Sequence, residues 1–418
     1  MTADLINCCI VGGGPAGMML GLLLARAGVN VVVLEKHEDF LRDFRGDTVH
    51  PSTLEVIHEL GLLDEFLARP HSELHQVRAV IGDERITIAD FSHLPVHAPF
   101  IALVPQWHFL DFLAEQGRRY PGFRLMMRAE VFELIEHDGR VAGVRAQTPD
   151  GTIDVRANLV VAADGRSSTV RSLARLPVED VGAPIDVLWM RIPKHADDTG
   201  TAALGNVRDG RVFVMLDRDE YWQCAFVIPK GGYDERRRAG LDAFRAEIAH
   251  VAPLLRDRTD EIRSWNDVKL LTVKIDRLAQ WHRPGLLCIG DAAHAMSPVG
   301  GVGINLAIQD AVAAANILWA PLRGRQAGPA EAGPYVPGVP TAADLQAVQR
   351  RRQLATRLTQ RMQVFVQNQV IFRTIQTGVP TRLPRFARLL NTFPFLRRIP
   401  ARVVGLGFRP EHVRSPEL

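Results

Sequence analysis

The chain has 418 residues, 47% hydrophobic and 23% charged, with a formal net charge of +3. That balance suits a globular protein large enough for two domains and excludes an extended basic surface for nucleic acid. Four cysteines, Cys8, Cys9, Cys224 and Cys288, lack C-x-x-C spacing and three sit in apolar runs, so buried thiols in a reducing compartment are expected rather than a metal site.

From the N-terminus, residues 5–11 read as an apolar strand, followed by the turn Gly12-Gly13-Gly14-Pro15-Ala16-Gly17, a helix ending before Gly28, and a strand over 29–35. The glycines and Pro15 interrupt the apolar run, no basic region precedes it and no cleavage site closes it. Neither a signal peptide nor a membrane span is expected, and the protein reads as cytoplasmic. The G-x-G-x-x-G lies between a strand and a helix, where Gly12 and Gly14 let the backbone approach a pyrophosphate and Gly17 lets the helix pack on the strand. Ala16 lies inside this turn. Glu35, with Lys36 beside it, is spaced to accept hydrogen bonds from an adenosine ribose.

Helical spacing of Leu54, Ile57, Leu60, Leu63 and Phe66 predicts a helix over 51–67, and a second amphipathic helix follows over 106–119. Strand-like runs over 76–103 and 184–229, clearest at 211–216 and 221–229, predict one sheet made of non-contiguous pieces. Short apolar strands over 159–163 and 286–289 end in Asp164-Gly165 and Gly290-Asp291. Residues 324–340 read as a linker and 342–377 as a long helix, while 371–418 hold nine arginines against two acidic residues.

The turn at 290 carries a second signal. Gly290-Asp291-Ala292-Ala293-His294 is followed by Pro298, Gly300, Gly301, Gly303, Ile304 and Asn305, which open a helix running to about 319. An aspartate at a strand end can bond a ribityl hydroxyl, and the following helix N-terminus can stabilise negative charge on a reduced flavin. Gly290-Asp291 with its glycine helix resembles the second FAD motif of the p-hydroxybenzoate hydroxylase-like single-component FAD-dependent monooxygenases, the flavoprotein aromatic hydroxylases. Asp164-Gly165-Arg166-Ser167-Ser168-Thr169-Val170-Arg171 resembles that family's D-G-x-x-S-x-x-R, which is implicated in binding both FAD and NAD(P)H. The resemblance further implies that Arg45, with Arg42 as competitor, contacts the flavin side, that Gln106 holds the pyrophosphate or ribityl chain, that Val131 offers backbone to adenine, and that the Pro298 carbonyl lies near the flavin ring. His294 sits in a segment the family uses structurally.

The fold class expected is α/β, mixed with α+β: a Rossmann-like FAD-binding domain (1–75, 104–180 and 281–322), an interleaved substrate-binding sheet domain (76–103 and 181–280) and a C-terminal linker and helical region (323–418). Arg191, Met215, Trp222, Gln223 and Cys224 are candidates for the substrate pocket. The alternation of Trp222, Cys224 and Phe226 with Tyr221, Gln223 and Ala225 leaves open which set faces the flavin. The resemblance implies an enzyme in which NADPH or NADH reduces FAD and O2 then gives a C4a-hydroperoxide that hydroxylates an aromatic small molecule. The catalytic residues themselves stay unassigned, because the cofactor carries the chemistry. Rival readings are an FAD-dependent reductase or epoxidase of an isoprenoid-like substrate, and a non-catalytic flavin-binding protein. The W-x-W-x-I-P signature of flavin halogenases is absent from the sequence. For the arginine-rich tail, packing on the chain's own FAD domain is preferred over a homodimer contact and over a membrane contact.

Overall fold

The computed structural model describes residues 6–41, 48–198, 203–324, 337–377 and 385–418. The chain opens with β1 (Ile6–Val11), α1 (Pro15–Arg26) and β2 (Val31–Leu34). Pro15 occupies the first turn of α1, where its missing N–H costs nothing, and Gly28 ends the segment at φ +72°. α2 (Pro51–Glu59) follows. The helix expected over 51–67 breaks after Glu59 because Gly61 takes φ +72°, its N–H bonding His58 O while Leu62 N–H bonds Ile57 O; a separate short helix covers Leu63–Leu67.

The chain then leaves for a hairpin, β3 (Gln76–Ile81) and β4 (Glu84–Asp90), and returns through α3 (Gln106–Gly117), β5 (Phe123–Met126) and a meander of β6 (Glu130–His137), β7 (Arg140–Thr148) and β8 (Gly151–Ala162). It leaves again for β9 (Ile185–Pro193), β10 (Ala203–Arg208), β11 (Arg211–Asp217), β12 (Tyr221–Pro229), α4 (Leu241–Val251) and β13 (Lys269–Leu271). β14 (Leu286–Cys288) re-enters the first sheet, followed by α5 (Gly303–Leu322) and the long α6 (Ala342–Val366). The tail forms α7 (Arg385–Thr392) and α8 (Arg398–Gly405).

The first sheet runs β14-β8-β1-β2-β5 with these five strands parallel; the short strand His282–Arg283 edges β14 antiparallel, and β6 and β7 extend the sheet antiparallel beyond the long β8. Its central strands are buried on both faces, which is why they read as continuous apolar runs without alternation. α1 and α5 pack together against it, in one core that includes Ile10, Val33, Leu159, Val161 and Ile308. α5 and its preceding turn, Val299–Leu322, are long and apolar enough to cross a membrane, yet 78% of the apolar 18-residue stretch within them is buried inside the protein.

The second sheet has the order β13-β9-β12-β11-β10-β3-β4, antiparallel except between β10 and β3. One face packs on α4 through Phe213, Phe226, Phe244 and Ile248. The other is covered by the end of α6 and by the tail: Val364 packs near Trp189 and Ala225, Leu390 on Ala79 and Ile86, and Ala401 on Phe91 and Leu94. The tail therefore departs from the expected packing on the first domain. α7 and α8 lie on the hairpin of the second sheet; α8 also reaches the first domain through the Val404 O–His50 Nδ1 contact, and the last residues return to it, where Leu418 N–H reaches Arg26 O at 3.0 Å. The reason lies in the spacing of Leu390, Ala401 and Val404, which matches the apolar face of β4.

Candidate cofactor and substrate site

The glycine turn between β1 and α1 is shaped from both sides. A Cβ on Gly12 would stand 2.4 Å from Ala163 O, and one on Gly17 would stand 2.0 Å from Gly12 O, so both positions exclude a side chain by contact with backbone. Gly14 differs, because a Cβ there would meet nothing within 4 Å. No side chain caps α1, which leaves its first amides and its positive end facing that open space. Glu35 stands at the end of β2, where Oε2 accepts the Gly13 N–H at 2.8 Å and Oε1 accepts the His37 N–H at 3.1 Å. Lys36 is exposed beside it. The backbone at Arg128 and Ala129 bonds His37 and Glu35, which brings Val131, 6% exposed, to the same edge.

Asp164 ends β8 inside a turn bonded to itself. Its carboxylate accepts from Ser168 Oγ at 2.5 Å and from the Val170 N–H at 3.1 Å, while burial pushes its pKa up. Gly165 takes φ +85° to make that turn. Arg171 is corrected from a direct cofactor contact to a support. It is 4% exposed, with Nη1 and Nη2 at 3.2 and 3.1 Å from the Asp276 carboxylate and further bonds to Arg166 O and Ala292 O. Both terminal nitrogens of this buried guanidinium are committed to these acceptors within the protein. The exposed cation of the motif is Arg166, unassigned from the sequence, whose Nη2 lies 3.5 Å from Asp291 Oδ2.

Gly290, at φ +58°, sits where a Cβ would meet Ala16 Cβ at 3.1 Å and Ala307 Cβ at 3.3 Å, so α1, the Gly290 turn and α5 converge on one point. Past Pro298, Gly300 and Gly301 take φ +80° and +64°, and α5 begins at Gly303 with no side-chain cap and open space before it. Ile304 is buried. The Asn305 side chain is committed within the protein, accepting from the His50 N–H at 2.9 Å and Thr53 Oγ1 at 2.7 Å, so only its backbone remains for a ligand at the helix start. Thr48 Oγ1 donates to Gly301 O at 3.1 Å. Gln106 begins α3 just after the strand Ile101–Leu103, which pairs with Thr48–Val49 and so shares this neighbourhood. Arg45 and its competitor Arg42 lie outside the described residues.

Two histidines near this turn have different tasks. His294 is 1% exposed and bonded through Nε2 to Asp310 Oδ2 at 2.5 Å; Asp310 also receives Arg352 Nε at 3.0 Å and the Gly290 N–H at 3.1 Å. Burial alone would push the Asp310 carboxyl up, but His294 and Arg352 hold it below the usual carboxylate range. His294 is thus a structural partner of α5. His50 is fully buried with Nδ1 2.8 Å from Val404 O, an arrangement that needs a proton on Nδ1 and leaves Nε2 as an acceptor. Nε2 has no partner and lies 3.4 Å from the position of a Gly301 Cβ. Desolvation pushes the His50 pKa down to about 4.

On the second sheet the paired registers resolve the two faces. Met215, Trp222 and Cys224 belong to the face packed on α4, with Trp222 Nε1 donating to Asp198 at 3.0 Å, so these three are corrected from pocket candidates to core. Arg191, Gln223 and Leu216 stand opposite one another on the other face, as do Trp189, Ala225 and Val214 one pleat along. Arg191 lies over the Tyr221 ring at 5.1 Å, and Gln223 Oε1 accepts from Arg218 Nε at 3.1 Å.

These residues fit a long dinucleotide. Two uncapped helix ends, the open faces of Gly14 and Gly303, the carboxylates of Glu35 and Asp291 and the unpartnered Nε2 of His50 supply donors and acceptors for a ligand spanning both turns. Among the described residues no cluster of metal-binding side chains is present.

The family model described as the FAD binding domain matches residues 6–332. The 6-methylpretetramide 4-monooxygenase of Streptomyces rimosus is 33% identical over 411 residues, covering 98% of this chain and 94% of the relative. Among solved structures, a probable FAD-dependent monooxygenase from Pseudomonas aeruginosa superposes with a TM-score of 0.73 at 20% identity, covering 90% of this chain and 99% of that one. The anhydrotetracycline hydroxylase of Streptomyces rimosus superposes with a TM-score of 0.71 at 20% identity, covering 95% of this chain and 75% of that one. Both superpositions concern the fold.

Proposed function

Because the chain belongs to the FAD binding domain family and is an FAD-dependent aromatic monooxygenase, we propose that it uses NAD(P)H and O2 to hydroxylate an aromatic compound of the pretetramide or tetracycline type. The relative that spans nearly the whole chain is named for a pretetramide, which supports that substrate class. The observation carrying the site assignment is the convergence of α1, the Gly290 turn and α5, with two uncapped helix ends facing open space.

When bound, FAD supplies the redox chemistry, taking two electrons from the nicotinamide and delivering one oxygen atom of O2 to the aromatic ring while the other leaves as water. The α1 amides around Gly14 receive the pyrophosphate, and Glu35 accepts from the adenosine ribose. Asp291, with Arg166 across from it, holds the ribityl chain. The N-terminus of α5 at Gly303 directs its amides at the pyrimidine side of the flavin, favouring the negative charge that reduction places there. The Pro298 carbonyl would lie on the flavin side of this turn. Trp189, Ala225, Val214 and Leu216 form an apolar wall for the substrate and exclude water, with Arg191 and Gln223 as its polar end.

The test is to saturate the purified protein with FAD and screen polyketide aromatics for stimulated NAD(P)H oxidation. A product heavier by one oxygen atom supports this reading. Reduction of the substrate without oxygen gain would favour the reductase alternative.

A further inference from the structure

The end of α6 and the π-helix that continues it place three buried glutamines, Gln360, Gln363 and Gln367, at helical spacing. The first two have evident tasks. Gln360 Nε2 donates to Asp276 O at 2.8 Å and Ala295 O at 3.1 Å, and Gln363 Nε2 donates to Ser297 O and Val299 O at 2.9 Å each while its Oε1 accepts the Ser297 N–H at 3.2 Å. Together they bind the 295–299 segment that leads into the glycine turn before α5.

Gln367, one turn further on, is 0% exposed, and neither Nε2 nor Oε1 has a partner. Burying an unpaired amide is costly enough that native proteins rarely keep one without a use for it. The backbone also changes at this residue: the helix becomes a π-helix over Gln367–Phe372, a local form that recurs at functional sites. Val364 and Ile371 flank Gln367 and pack against the second sheet, near Trp189 and Ala225 and near Val212 and Val227 respectively. Gln367 therefore occupies the seam between the 295–299 segment and the sheet face assigned to the substrate. On that face Trp189, Val214 and Leu216 retain partial exposure although helices lie on both sides of the sheet.

We propose that Gln367 is a specificity-determining residue that recognises a substrate edge carrying a hydroxyl beside a carbonyl. An amide presents an acceptor and a donor side by side, and a hydroxyl beside a carbonyl presents the complementary pair. An apolar wall with one two-point polar contact orients a flat aromatic molecule and rejects an analogue lacking the hydroxyl, because the buried amide then stays unpaired. The inference rests on placing the flavin ring at the turn before α5, which the FAD retention of Asp291→Ala tests separately.

The experiment uses oxidised, FAD-loaded enzyme without nicotinamide and follows the flavin absorbance during titration with 1-hydroxyanthraquinone, whose single hydroxyl lies beside a carbonyl, and with unsubstituted anthraquinone. The wild type is expected to bind 1-hydroxyanthraquinone about tenfold or more tightly than anthraquinone. In Gln367→Leu the ratio is expected to fall below about threefold, with FAD affinity unchanged and the melting temperature equal or higher, since an unpaired buried amide has been removed. Gln367→Met, similar in length, is run in parallel so that a folding defect in one variant does not decide the outcome. No discrimination by the wild type, or a ratio that survives both substitutions, overturns the proposal. A weakened FAD affinity with the ratio intact also overturns it and assigns the amide to the flavin.

Discussion

Asp291 stands just past β14 with its side chain 29% exposed and Arg166 Nη2 3.5 Å from its carboxylate. Replacing it with alanine removes a charged hydrogen-bond acceptor worth ~1.5–3 kcal/mol, so Asp291→Ala is expected to weaken FAD binding about tenfold or more in a flavin fluorescence titration. Unchanged affinity would show that the carboxylate does not touch the cofactor. His50 makes a different demand. Its folded pKa of about 4 lies below its ordinary value of 6.5, so the unfolded chain binds more protons between these limits. The His50 contribution to stability is therefore complete above pH 6.5 and is lost as pH falls towards 4. In His50→Gln, urea denaturation across that range is expected to show a flatter pH dependence, by roughly 2–3 kcal/mol. A slope identical to the wild type would mean that His50 titrates normally. Single residues also mark where the sequence was ambiguous. D-G-x-x-S-x-x-R identifies a turn, but the pattern is the same whether its last arginine meets a ligand or, as here, a buried aspartate 105 positions away.

Among the elements, α5, α6 and the returning tail are joined by a buried charge network. Arg352, 1% exposed, bridges Asp310 on α5 and Glu411 in the tail, while Arg351 holds Glu411 from the outside at 2.8 Å. Removing the central cation takes the guanidinium from the buried Asp310 and leaves Glu411 to Arg351, so Arg352→Met is expected to cost about 3–5 kcal/mol, read as a lowered urea midpoint. A loss under about 1 kcal/mol would show that the network relaxes into solvent. Element by element, legibility followed how local the cause is. The glycine fingerprint, β1, β2 and α5 were readable because an apolar run and a tight turn are determined within a few residues. The face of the second sheet proposed for the substrate was not, because helices cover both sides and the alternation in β12 is apolar on each. Only the packing of α4 on one side and α6 with the tail on the other separates Cys224 from Gln223. Gln367 gave no local signal of its own; the repeat Gln360, Gln363, Gln367 on an otherwise buried stripe is the pattern that marks it.

At the scale of the molecule, two sheets contributed by interleaved segments meet along α6, and the open ends of α1 and α5 face the same side of the first sheet. Mixed α/β architecture and membership of a flavoprotein family were both accessible from the ordered motifs. The tail's position on the second sheet was not, since arginines interleaved with leucine and phenylalanine suit several surfaces equally well. In the proposed reaction, with FAD held between the two turns and the substrate on the second sheet, oxygen would reach the product from O2. The direct measurement is turnover with FAD, NAD(P)H and an accepted aromatic substrate under isotopically labelled dioxygen, followed by mass spectrometry of the product. One labelled oxygen atom per product molecule is the expected result, whereas a product formed without label would contradict monooxygenation by this chain.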